Sequence, residues 1–110
     1  MNITIRDVNE VKVVALEGEL DLNASGEAEK QLTQLREGGV KKMLLDLEKL
    51  EFISSAGLRV LLATAQEIKA AGGELRVCNP NETVKEVFDI SGFSTLLMCF
   101  DNEAKAMAGF

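Results

Sequence analysis

The sequence contains no histidine, and that absence excludes more chemistry than any residue present. Without an imidazole there is no Ser-His-Asp or Cys-His nucleophile, no phosphohistidine carrier and almost no route to a zinc site. A single proline and the lack of any low-complexity run argue against disorder. No apolar run approaches the length that spans a bilayer, and the N-terminus alternates rather than building a signal-peptide core. The only cysteines, Cys78 and Cys99, sit in apolar segments and read as small core residues in a reducing cytoplasm. One bridge between them stays open, but two cysteines are no secreted-protein framework.

Positive charge is also scarce. Against 18 acidic residues stand 12 basic ones, a net charge of -6, which disfavours both nucleic acid and an anionic membrane as partners. The glycines form neither G-x-G-x-x-G nor a P-loop, and the acids show neither EF-hand spacing nor a metal cluster, so no cofactor or metal is expected. What is present suits one domain over residues 1–110, with 46% hydrophobic residues to build a core.

Residues 3–6 and 11–20 read as strands, and the polar link 7–10 fits a hairpin. Asp21, Asn23 and Ser25 are possible caps of a first helix, with Glu27 and Glu29 expected in its first turn, where acids suit the helix dipole. Ala28, Leu32 and Leu35 recur at helical spacing until Gly38-Gly39 stops the pattern. Residues 42–47 suit a buried strand, 55–71 a helix stopped by Gly72-Gly73, and 74–78 an alternating strand. Asn79-Pro80-Asn81 opens a third helix that turns Val84, Val87 and Phe88 inward and ends near Ser91-Gly92. Residues 95–100 read as a last strand and 103–110 as a short helix. The order ββαβαβαβα implies an α/β fold with a single mixed sheet of about five strands and about four helices. In such sheets, function gathers at the carboxyl ends of the strands.

One of those ends leads to "FISSAGLRVLL", residues 52–62, where two hydroxyls, Ser54 and Ser55, stand at a helix start. Capping needs one serine oxygen for one free backbone N–H. The other hydroxyl is idle or is a site of phosphorylation, which a helix N-terminus tolerates. Ser55 does not fit the esterase elbow G-x-S-x-G, because Ile53 stands where its first glycine belongs and there is no histidine base. Along the helix, Leu58, Leu61, Ala65 and Ile68 form a core stripe. The opposite side carries Ala56, Val60, Ala63 and Ala70 beside Arg59 and Glu67. These small residues are either simple helix formers or a close-approach face for a partner. Asp21 and Asn23 cap the first helix, and Asp21 could also line the same surface.

The order of elements, "EGELDL" before the first helix, "LDLEKLEFISSAGLRVLL" and "VKEVFDISGF" together resemble the STAS domain, more narrowly the bacterial anti-sigma factor antagonists. The resemblance runs from about residue 3 to residue 100 and implies the STAS fold. The usual central motif of that family is Asp-Ser-Ser/Thr-Gly-Leu, whose first serine is the phosphoacceptor. Laid on this chain, that serine is Ser55, with Gly57 and Leu58 matching. Ser54 stands in the place of the aspartate and Ala56 in that of the second hydroxyl. The resemblance implies a cytoplasmic protein that binds an anti-sigma factor, itself a serine kinase, through a surface expected to include Asp21, Asn23, Ser54, Ala56, Gly57, Leu58 and Arg59. Phosphorylation of Ser55 separates the complex and a PP2C-type phosphatase resets it, so the chain is a substrate and no enzyme. The alternatives are a STAS scaffold in a sensory or lipid-transport complex, never phosphorylated, and a small-molecule or nucleotide carrier.

Overall fold

β-Branched, alternating residues put the first segments into two strands, β1 (Asn2–Val8) and β2 (Val11–Leu20), paired antiparallel from Asn2↔Glu17 to Val8↔Val11. Only Asn9 and Glu10 separate them, both at positive φ (48° and 72°), as a two-residue hairpin loop matched to strand twist requires. The structure is a computed structural model describing residues 1–93 and 97–110. After the hairpin come α1 (Leu22–Glu37), β3 (Lys42–Asp46), β4 (Leu50–Ile53), α2 (Ser55–Ala70) and β5 (Glu74–Cys78). The chain continues through α3 (Glu82–Ser91), β6 (Met98–Phe100) and α4 (Glu103–Met107).

The strands lie in the order β1-β2-β3-β5-β6, antiparallel at the hairpin and parallel thereafter. The sixth strand, β4, pairs with β2 beyond the stretch that β3 occupies. The expected order therefore gains a strand and becomes ββαββαβαβα. Local pattern does not mark this strand, because four residues with only Leu50 and Ile53 buried show no alternation. Its place is made by Gly18, whose φ of 101° accompanies a register shift in β2, so that pairing passes from β3 to β4.

Helices α1, α2 and α3 contribute to the larger core, in which Leu16, Leu20, Met43, Leu45 and Val77 meet Leu32, Leu61, Ile68 and Phe88. Val11, Val13, Leu44 and Cys78 belong to a second cluster, covered by Ala106, Met107 and Phe110. Coverage on both faces explains why residues 43–45 are apolar without alternation. Arg76 fastens this second layer. Its buried guanidinium donates to the carbonyls of Ala106 (2.9 Å), Ala108 (2.8 Å) and Gly109 (3.2 Å). It also pairs with Glu74 and lies over the rings of Phe100 and Phe110.

Several expectations are corrected. Asp21 caps α1, so the helix starts at Leu22 and Glu27 and Glu29 fall beyond its first turn. Ser25 is no cap; its hydroxyl donates back to the Leu22 carbonyl. Cys78 is buried as expected, but Cys99 is exposed on β6, and both are free thiols. The last strand is only Met98–Phe100; of its expected start, Thr95 and Leu96 lie outside the described residues. The final helix stops at Met107 rather than running to Phe110.

Candidate functional site

Leu20 and Ile53 are register partners at the parallel ends of β2 and β4, and a helix follows each of them one residue later. The starts of α1 and α2 are thereby set side by side, with Asp21 and Ser54 as their N-caps. Asp21 Oδ1 accepts from the Ala24 N–H at 2.8 Å. Ser54 serves three structural bonds. Its backbone N–H donates to the Leu20 carbonyl at 2.9 Å, its hydroxyl donates to that carbonyl at 3.1 Å, and its Oγ accepts from the Gly57 N–H at 3.1 Å. A serine can cap and donate at once, whereas an ionised aspartate only accepts. Ser54 thus caps α2 and also ties it to β2.

This frees Ser55. It occupies the first position of α2, is exposed, and its hydroxyl makes no hydrogen bond among the described residues. Gly57, by contrast, is buried against Leu20: a Cβ there would stand 2.6 Å from Leu20 Cγ and 2.7 Å from its carbonyl oxygen. Its role in the corner is close approach, not a side-chain surface. Ala56 and Leu58 are half-buried, Leu58 packing against the core, and Arg59 is exposed. Val60 is buried, so the small-residue side of α2 is no continuous free face; α1 packs beside α2. Ala63 and Ala70 remain exposed.

Asp21 and Asn23 line one shallow depression with Glu19, Ala24, Glu51 and Met1. Two exposed apolar residues near the strand ends escaped the sequence reading: Leu22 is 73% exposed and Phe52 43%. Leu22 had a visible signal, an apolar residue between the polar Asp21 and Asn23. Phe52 had none while β4 was unrecognised. The corner therefore combines a free hydroxyl, an acidic depression and exposed apolar side chains. That composition suits a protein partner better than a buried reaction. No described helix is long and apolar enough to cross a membrane.

The family model for the STAS domain matches residues 2–106. The chain belongs to the STAS domain family. Among relatives of this STAS domain is an anti-sigma F factor antagonist of Paenibacillus polymyxa, 34% identical over 98 residues, covering 88% of this chain and 84% of that protein. BtrV of Bordetella bronchiseptica is 33% identical over 110 residues, covering 100% of this chain and 95% of that protein. Among solved structures, the Bacillus cell fate determinant SpoIIAA in its phosphorylated form is 28% identical, with a TM-score of 0.76 and 97% of each chain covered. The mixed sheet and its helices match the STAS fold expected from the motifs.

Proposed function

We propose that this STAS domain is a cytoplasmic anti-sigma factor antagonist, which binds an anti-sigma factor/serine kinase while Ser55 is unmodified and so releases the sigma factor. The observation that carries this reading is the division of labour at α2: Ser54 makes the structural bonds and leaves the adjacent Ser55 hydroxyl free and exposed. In the switching step, Ser55 Oγ forms a bond to the γ-phosphorus of ATP as the bond to the bridging oxygen breaks. ADP leaves, and the hydroxyl proton passes to a base of the kinase. A PP2C-type phosphatase reverses the state with water as nucleophile, releasing inorganic phosphate and restoring the hydroxyl.

The energetics favour a switch over a structural modification. At a helix start, a phosphate gains about 0.3–1 kcal/mol from the dipole, so the free domain tolerates it. At an interface, its added charge of roughly -1.5 to -2 must be desolvated, and each ~1.4 kcal/mol of penalty is tenfold in affinity. Asp21, Asn23, Ala56, Leu58 and Arg59, with Leu22 and Phe52, supply the partner surface in this reading. Ser54 and Gly57 hold its shape. The naming of relatives as anti-sigma factor antagonists, and the existence of SpoIIAA in a phosphorylated form, support the proposal.

The test compares wild type, Ser55→Ala and Ser55→Asp for binding to the anti-sigma kinase of the same cell. Wild type and the alanine variant should bind alike, and the aspartate variant at least tenfold more weakly. Equal binding by all three would refute the switch, and lack of phosphate on Ser55 after incubation with kinase and ATP would favour a STAS scaffold.

A further inference from the structure

Between Ser55 and Gln66, α2 carries one charged side chain, Arg59. It is exposed and forms no ion pair among the described residues. Helix stability does not account for it, since a cation one turn from the positive end of a helix gains nothing from the dipole. The charged side chains lining the depression near the α1 start, Glu19 and Asp21 after the β2 register shift and Glu51 on β4, are all acids. Arg59 is thus a cation without an ion-pair partner among the described residues, on the helix whose start lies beside that of α1.

Its spacing from Ser55 is four residues, and side chains at i and i+4 share one face of a helix. Helical side chains also lean toward the N-terminus, so Arg59 reaches back over the turn that begins with Ser55. The acid-before-base order is the favourable one for such a pair. A guanidinium can meet two phosphate oxygens at once, which a point-like ammonium cannot.

We propose that Arg59 is the internal ligand of a phosphate on Ser55, an i→i+4 clamp formed only in the modified protein. The inference rests on the reading of Ser55 as the phosphoacceptor and adds how the modified state is held. Phosphorylation then does two things at this surface: it introduces an anion and withdraws the cation from a partner.

The experiment is independent of any kinase. Phosphoserine is incorporated at position 55 during translation, in the wild-type background and with Arg59→Gln or Arg59→Lys. Phosphorus NMR then follows the second ionisation of the phosphate, ordinarily near pKa ~6. In the wild-type background it should titrate about 0.2–0.4 of a pH unit lower than with Arg59→Gln, the size expected of a surface charge pair, with Arg59→Lys between them. The same pKa with arginine and glutamine overturns the clamp. A lowered value retained by lysine at full size overturns its bidentate form. Failure of the switch reading shows elsewhere, as equal binding of phosphorylated and unmodified protein to the anti-sigma partner, and leaves the NMR result unaffected.

Discussion

Gly57→Ala is the most direct probe of the corner, because the added methyl has no room. An ideal Cβ would lie 2.6 Å from Leu20 Cγ and 2.7 Å from the Leu20 carbonyl oxygen, whereas carbon atoms pack comfortably at about 3.5–4 Å. The side chain can rotate away but the carbonyl cannot, since it accepts from both the N–H and the hydroxyl of Ser54. Relief therefore means pushing α2 off the end of β2. Overpacking of this kind costs about 1–3 kcal/mol, and weakening the cap adds up to about 1 kcal/mol. Replacing glycine within a helix returns about 1 kcal/mol. The net expectation is a loss of roughly 2 kcal/mol, which at about 4 °C per kcal/mol lowers Tm by about 8 °C. Gly26→Ala in α1 is the control: nothing lies within 4 Å of its Cβ, so the propensity gain stands alone and stability should rise by up to about 1 kcal/mol. Urea unfolding of both variants reads the contrast. A Gly57→Ala protein as stable as wild type would refute the close-approach argument.

The two serines should separate in the same assay. Ser54→Ala loses the cap and the tie to Leu20 and should cost about 1–2 kcal/mol, while Ser55→Ala should stay within about 0.5 kcal/mol of wild type. Arg76→Met leaves the carbonyls of Ala106, Ala108 and Gly109 without their donor; amide exchange in α4 should accelerate well before that in β2 and β3. Burial and the neighbouring Asp46 carboxylate push the Cys78 thiol from 9.0 up to about 12. The unfolded chain then loses this proton first, so the contribution is intact below pH ~9 and declines as pH rises from there toward 12, by up to ~1.4 kcal/mol per unit. Cys78→Ala should flatten the fall in stability between about pH 9 and 10.5, measured by urea unfolding at stepped pH.

Periodic signals carried most of the fold. Residues 74–78 and the Ser91-Gly92 stop match β5 and the α3 terminus because each has a local cause: alternation in one, a left-handed glycine in the other. What local pattern could not reveal was β4, whose four residues exist as a strand only because Gly18 shifts the β2 register. Val60 was misplaced for a related reason. Helical angle puts it opposite Leu58, but whether that side meets water depends on α1 packing there, a tertiary fact. At the site, spacing alone could not say which serine was the cap. That was decided by the Leu20 carbonyl, which lies 34 residues upstream of Ser54 in sequence and reaches it only through parallel pairing.

The division between Ser54 and Ser55 has an evolutionary consequence. When a signalling residue also holds up the fold, each change in signal is filtered first by stability. Here the fold's demand falls on position 54, so in the proposed reading of Ser55 as the phosphoacceptor, threonine, alanine or an acid at position 55 would alter the message while leaving the bearer almost untouched. In that reading, selection can retune whom this surface answers, and when, without first repairing the protein that carries it.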